Sequence, residues 1–176
     1  MASGRRGPGQ GLTLTLTPAT AEQAEAIAAL RSEVAADLTR RFGEGHWSAP
    51  VSVKSVQFNL VTARVYVAHM GPRIAVTLAL QTKKPWAIDA TYFTACQQPL
   101  YLINMAVAPD LQRRGLGRRA LSAALALARQ WPADTIRLDA YDAPAGAGVF
   151  YARCGFREVG RMTYRETPLV YFERLL

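Results

Sequence analysis

Residues 105–118 read Met-Ala-Val-Ala-Pro-Asp-Leu-Gln-Arg-Arg-Gly-Leu-Gly-Arg, and their reading decides the fold. An apolar strand runs into a turn at Pro109. A Gln-x-x-Gly-x-Gly cluster follows, flanked by Arg113, Arg114, Arg118 and Arg119. Immediately downstream Leu121, Ala124, Leu125 and Ala128 recur at i, i+3, i+4 and i+7, one face of a helix. The glycines therefore stand where a helix begins. The first N–H groups of a helix lack intrahelical partners, and with the helix dipole they form an anion site. Gly115 and Gly117 carry no Cβ, which lets a phosphate approach the backbone, and the arginines add charge-assisted hydrogen bonds. Strand, glycine turn, arginines and amphipathic helix in that order predict a pyrophosphate site rather than a merely solvated basic helix start.

Working outward, the 176 residues suit one domain with a substantial core, and 50% of them are hydrophobic. No apolar run approaches the ~20 residues of a membrane span, so no membrane partner is expected. Residues 1–11 hold Arg5, Arg6, Pro8 and four glycines without an apolar core segment. They are expected to be a disordered tail, not a secretory signal, ahead of a single domain at 12–176. Two cysteines, Cys96 and Cys154, are too few for a disulfide framework and read as small buried hydrophobes. A reduced, cytoplasmic protein is the expectation. The formal charge is +8. Four of those charges sit at the proposed phosphate site, which suits a small polyanion. The chain shows no zinc finger, RNP-like strand or other nucleic-acid module, so no nucleic-acid partner is expected.

Residues 12–17 alternate Leu and Thr, a half-buried strand, and Pro18 and Thr20 open a helix reaching about Arg40. After a loop with His46 and Trp47, Pro50–Ala63 reads as a weaker helix. Arg64–His69 and Ile74–Gln81 form a hairpin about Gly71-Pro72. Residues 83–99 are a long loop with aromatics and two prolines. Leu100–Val107 is a strand, 115–130 the helix above, Ile136–Tyr141 an alternating strand and Pro144–Cys154 a short helix. Phe156–Val159 and Val170–Leu175 close the chain. The order β-α-α-β-β-β-α-β-α-β-β predicts an α/β sandwich on a mixed sheet, with no repeat and no second domain.

This order resembles the GNAT superfamily of N-acetyltransferases over roughly residues 12–175. The specific part is two blocks. Gln112-Arg113-Arg114-Gly115-Leu116-Gly117 matches the family's acetyl-CoA motif after its strand. Ile136 to Glu158, ending Phe150-Tyr151-Ala152-Arg153-Cys154-Gly155-Phe156-Arg157-Glu158, is similar to the family's late strand, short helix and Tyr-x-x-x-Gly-Phe segment. The resemblance implies a mixed, mostly antiparallel sheet flanked by helices, with acetyl-CoA as cosubstrate. It implies that Gln112, Arg113, Arg114, Gly115, Leu116, Gly117 and Arg118 bind the CoA pyrophosphate. Met105, Ala106 and Val107 would pair their backbone with the pantetheine arm like an added strand. For that edge to be free, strand 100–107 must splay from 136–141. Tyr151 would be the general acid, since a phenol of pKa ~10 is protonated at neutral pH and can neutralise the departing thiolate. On spacing alone, Tyr151 is equally a core aromatic beside Phe150. Partners would be a small-molecule or peptide amine and, as often in the family, a second copy forming a homodimer.

The base is less defined. An amine of pKa ~10.4 is neutral in about one molecule in 2,500 at pH 7, so a proton acceptor must help. Many relatives place a carboxylate on the strand facing the acceptor. The matching position here is Asn104, which can orient an acceptor or a water but cannot take a proton. A water relay to Asp139, Asp142, Glu44 or His46 is the alternative, each of which also reads as an ordinary surface group. Loops 38–50 and 83–99 are expected to line the acceptor side. Two isolated histidines, His46 and His69, predict no metal site. Two rival readings stand beside this one. Gly115-x-Gly117-x-x-Ala120 with Asp139 loosely fits a dinucleotide fingerprint. Against it, Ala108–Arg114 separate the glycines from their strand, and only residues 140–176 follow Asp139. A non-catalytic module that senses acetyl-CoA or a small ligand would need the phosphate site but not Tyr151.

Overall fold

The computed structural model describes residues 14–176. The tail at 1–11 and the first residues of the 12–17 strand lie outside the described residues. The elements are β1 (Thr17–Pro18), α1 (Ala24–Phe42), α2 (Val53–Thr62), β2 (Arg64–Met70), β3 (Arg73–Gln81), β4 (Pro99–Val107), α3 (Leu116–Ala128), β5 (Thr135–Tyr141), α4 (Gly148–Arg153), β6 (Arg157–Tyr164) and β7 (Thr167–Leu175). They form one sheet in the order β1-β2-β3-β4-β5-β7-β6. Every pairing is antiparallel except β4 with β5. The predicted element order and mixed sheet are the observed ones.

Two helical pairs cover the sheet. On one face α1 and α2 bury Ile27, Leu30 and Val56 against Val65, Val67 and Ile74. On the other, α3 packs Leu121, Ala124 and Leu125 with Leu100, Leu138 and Phe172, and α4 adds Tyr151. The i, i+3, i+4 stripe of α3 is thus its core face. Helix starts follow local capping. The Gln23 side chain accepts from the Thr20 backbone N–H at 3.0 Å, and Ser52 caps α2 by accepting from Ser55 N–H at 3.1 Å.

Three expectations are corrected. The first strand contributes only Thr17–Pro18 to the sheet, on its edge, where a missing N–H is tolerated; Pro18 therefore ends a strand instead of opening a helix. The last two strands are longer than their apolar runs. They meet in a two-residue turn at Arg165–Glu166, whose φ of 45° and 67° place both residues in the left-handed region. Both cysteines are half-buried, not buried, and neither is bonded to the other.

The segment between β3 and β4 is pinned by Glu173, which is only 2% exposed. Its carboxylate accepts from the Thr94 N–H at 3.0 Å and hydroxyl at 2.6 Å, and pairs with the Arg157 guanidinium. Opposite it in register, Arg137 donates to the Thr94 carbonyl at 2.7 Å and lies over the Phe93 ring. Burial opposes the Glu173 charge, but the Thr94 and Arg157 bonds outweigh it and hold the carboxyl below its usual range. A depressed folded pKa stabilises the fold above the unfolded value of about 4.3 and loses that contribution as pH falls through the folded value. Unfolding midpoints in urea are therefore expected to drop below about pH 4.3 more steeply in the parent than in Glu173→Gln. Parallel pH profiles would show that Glu173 is not the source.

Candidate active site

The sheet opens at its centre. β4 and β5 pair only at Pro99–Thr135, Leu100–Ile136 and Tyr101–Arg137, and beyond Tyr101 the strands share no ladder. The expected splay of 100–107 from 136–141 is present. Its cause lies in β4. Between Thr77↔Ala106 and Ala79↔Ile103 the β3–β4 register slips by one residue, a bulge, and Asn104 sits in it with φ of 55°. Asparagine tolerates the left-handed region better than most residues. Its amide is held at both ends. Arg31 Nη2 on α1 donates to Oδ1 at 2.8 Å, and Nδ2 donates to Asn59 Oδ1 on α2 at 3.1 Å. Asn104 thus clamps the bulge while keeping one N–H and one lone pair for a further partner.

On the α3 side, Ala106 and Val107 pair with β3 through one edge, and their other edge faces the opening. Met105 and Val107 lean on the α3–α4 core. The chain then turns through Pro109–Leu111, braced by Gln112 Nε2 donating to the Val107 carbonyl at 3.0 Å. Gln112 thus shapes the loop. From Arg113 to Arg118 no backbone N–H has a partner among the described residues. Arg113 and Gly115 are both left-handed, with φ of 60° and 78°, which curls these donors into an anion-binding concavity. Arg113, Arg114 and Arg118 are exposed around it, while Leu116 turns its side chain into the core and offers only its N–H. The two glycines differ. Gly115 needs its φ; a Cβ there would meet nothing within 4 Å. At Gly117 a Cβ would make ordinary contact with the Phe150 ring at 3.4 Å and with Val107 at 3.7 Å, so packing alone does not demand glycine there. A groove of about 280 Å³ continues from there between α3 and the end of α4, ringed by Arg118, Arg129, Arg153 and Arg174.

Tyr151 stands on α4 against Phe150, Phe156 and Phe172. Its phenol is both core aromatic and reactive candidate: no hydrogen bond joins the hydroxyl to another described residue, and its oxygen keeps contact with solvent. Burial first, then the Asp139 charge and Cys154, push its pKa above the usual phenol value, so it is protonated at neutral pH. Asp139 is on β5 where the strands have parted, half-buried and outside every ion pair among the described residues. Its pKa is raised by burial, partly offset by its own backbone N–H. Of the four proton acceptors open in the sequence, Asp139 is the one whose charge reaches the Tyr151 phenol, although strand alternation turns its side chain to the face opposite Leu138 and Ala140, which pack with Tyr151. Asp142 is paired with Arg161 at 2.8 Å, and His46 Nδ1 is hydrogen-bonded to Thr167 at 3.1 Å. Glu44 is exposed in the loop after α1.

That loop does reach the acceptor side. The Tyr141 hydroxyl donates to the His46 carbonyl at 3.2 Å, and Trp47 meets the Tyr141 ring edge-on. Segment 83–98 is anchored at the paired end of β5 through Arg137 and Glu173, and beyond it through Tyr171 opposite Asp139, whose hydroxyl accepts from the Asp89 N–H at 3.1 Å and donates to the Ala87 carbonyl.

A family model described as Acetyltransferase (GNAT) domain matches residues 62–158, over half of the chain. The chain belongs to the GNAT acetyltransferase family. That stretch runs from the end of α2 through the bulge and the α3 loop to the start of β6. No curated protein sequence matches. Solved structures with the same fold include the ribosomal-protein-S18-alanine N-acetyltransferase of Escherichia coli (18% identity, TM-score 0.68, covering 92% of this chain and 93% of that one). A GNAT-family acetyltransferase of Listeria monocytogenes superposes with TM-score 0.72 at 16% identity, over 96% and 98% of the two chains. An acetyltransferase of Thermus thermophilus reaches 22% identity and TM-score 0.65, over 94% and 98%. The family generally uses acetyl-CoA, and no described helix of this GNAT chain is long and apolar enough to cross a membrane.

Sequence reading missed Arg31 and Asn59. Arg31 left a signal: it interrupts the apolar stripe Ala24, Ile27, Ala28, Ala35 on α1. A glutamate at Gly117 would contact Phe150 and set a negative charge among the unpartnered N–H groups. Gly117→Glu is expected to weaken CoA binding at least tenfold by calorimetry while the circular dichroism spectrum stays that of the parent. Unchanged affinity in a folded variant would move the pyrophosphate site elsewhere.

Proposed function

We propose that the protein transfers the acetyl group of acetyl-CoA to a primary amine by direct attack within the opening between β4 and β5. The observation that carries this reading is the juxtaposition across that opening. The unpartnered N–H run of 113–118, the arginine groove and Tyr151 lie on the α3 side, while Asp139 stands on β5 past the last β4–β5 pair, its charge within reach of the Tyr151 phenol. The chemistry of the loop fits the cosubstrate: backbone donors and arginines suit a pyrophosphate, and the free edge of 105–107 suits the amides of the pantetheine arm. Residues of the groove, Arg118 and Arg153 among them, suit its remaining phosphate.

The amine approaches from the α1–α2 face. Its nitrogen forms a bond to the acetyl carbon, the C–S bond breaks, and the sulfur leaves with the electron pair. The Tyr151 phenol gives its proton to that sulfur, and the amine proton passes to Asp139 directly or through one water. The net reaction conserves protons, since Asp139 and Tyr151 return to their starting states through solvent. The approach of a cationic amine also helps Tyr151, because it offsets the Asp139 charge that makes the phenol reluctant to release its proton. A sensing module would use the same phosphate loop, yet an unpartnered Tyr151 hydroxyl beside an unpaired carboxylate adds nothing to binding CoA. The E. coli protein of like fold is named for acetylating an alanine of ribosomal protein S18, which is one acceptor within the class proposed here.

Tyr151→Phe is expected to lower turnover about 10²–10³-fold, the scale of a lost general acid, with little change in CoA affinity; near-parental turnover with chemistry rate-limiting would assign the proton to water. For Asp139 the sign follows from its raised pKa. The carboxylate form, and with it kcat/KM, should grow as pH rises through a value above the ordinary ~3.9 and then level off. In Asp139→Asn that plateau should vanish, and log kcat/KM should climb with near-unit slope toward the acceptor's own pKa. A unit slope already in the parent would exclude Asp139 and leave solvent as the base.

A further inference from the structure

Among the charged groups at the acceptor face, Arg31 is out of balance. Other arginines near carboxylates are paired: Arg40 and Arg41 with Asp37, Arg73 with Asp110, Arg157 with Glu173, and Arg161 with Asp142 and Glu158. Arg31 is half-buried in α1 and, among the described residues, has no carboxylate within ion-pair distance and gives one hydrogen bond, to Asn104 Oδ1. A guanidinium has five N–H donors; none of the Arg31 nitrogens is sealed from solvent without a partner, so the donors that Asn104 leaves over are open to a ligand. Burial lowers its pKa from the ordinary value. As a mere brace for the bulge, an uncharged donor would serve Asn104 as well. Asp139, two residues before Tyr141 and on the same face of β5, is also half-buried and also unpaired among the described residues, and the Tyr141 phenol is within electrostatic reach of both groups. The acceptor face thus presents one unpaired cation, on α1 at the Asn104 bulge, and one unpaired anion, on β5 past the last β4–β5 pair, with Tyr141 held by His46 and Trp47 at the same opening.

Resting on the acetyl-transfer reading, we propose that Arg31 binds a carboxylate of the acceptor, so that the substrate class is a free amino acid or similar amino-carboxylate, its amine directed to Asp139 and its carboxylate to Arg31. Two oppositely charged ends on one small molecule would neutralise both unmatched groups at once. The guanidinium fork suits a carboxylate through parallel hydrogen bonds. An amine without a carboxylate would leave Arg31 desolvated and uncompensated beneath it.

The test is thiol release from acetyl-CoA with acceptors in matched pairs: L-amino acids against their carboxamides, and ω-amino acids of increasing length against the corresponding alkylamines. In at least one series the acid should exceed its partner by about 10- to 100-fold in kcat/KM, the scale of a charge-assisted hydrogen bond. Amino-acid amides have the less basic amine and the larger neutral fraction, so a preference for the acid does not come from basicity. In Arg31→Gln the ratio should collapse toward one, through loss of the acid's kcat/KM, and Arg31→Lys should keep part of it. Amides and alkylamines that match or outdo the acids in the parent overturn the proposal, and this arm needs no variant. So does an Arg31→Gln protein that slows both members of a pair equally, which would make Arg31 a brace for Asn104 only. Transfer to carboxylate-free amines without discrimination overturns this proposal and leaves acetyl transfer standing; bound acetyl-CoA with no thiol release to any amine overturns both.

Discussion

The bulge at Asn104 is the constraint on which the rest of the molecule depends. A β4 strand without it would continue its ladder past Tyr101 and close the sheet against β5. With it, the strands share three residue pairs and then part. A non-glycine residue at positive φ costs of order 1–3 kcal/mol and persists only where its surroundings over-determine it. Here α1 and α2 supply that insistence, through Arg31 and Asn59 on the two ends of one amide. The helices that cover the α1–α2 face therefore also hold the opening apart. Substitutions in their buried stripe act on the site at a distance, by relaxing the clamp.

The opening separates charge by face. On the α3 side, unpartnered N–H groups and exposed arginines make a positive wall that an anionic cosubstrate neutralises. Toward β5, Asp139 and Tyr151 sit in surroundings that favour their protonated forms: burial raises both, and the carboxylate's charge further opposes phenolate formation. Such a pair is poorly disposed to work in the empty site. A cation brought between them changes the balance: it favours the carboxylate form of Asp139 and eases proton loss from Tyr151. The acceptor thus carries part of the activation with it, and a desolvated acid–base pair that would otherwise be only a cost to stability becomes useful when the amine arrives.

Much of this was legible in the chain. Helix periodicity on 121–128, the alternation on 136–141 and the glycine turn at 115–117 revealed the order of elements and the position of the glycine loop ahead of α3, because each follows from local spacing. What escaped reading depended on contacts between distant residues. The Arg165–Glu166 turn carries none of the Asn-Gly chemistry that advertises a tight hairpin, so both closing strands looked short. Asn104 read as a missing carboxylate; its conformation, not its chemistry, is its main contribution. Asp139 could not be chosen from four candidates by spacing, because Asp142 and His46 are withdrawn by Arg161 and Thr167, partners 19 and 121 residues away.

The same geometry limits how the two substrates meet. The sheet lies between the cationic α3 loop and the α1–α2 face, and the opening joins them only beyond Tyr101. A thioester arriving along 105–107 and an amine arriving past Tyr141 reach each other from opposite faces, so neither needs to displace the other. Water can enter by the same two routes, which sets a requirement on the acceptor: it must fill the mouth beside Trp47 and Tyr141 as well as present a nitrogen. A bare small amine satisfies the second condition and not the first. An acceptor whose far end is anchored on a desolvated cation satisfies both, holding the nitrogen in place while excluding the competing nucleophile.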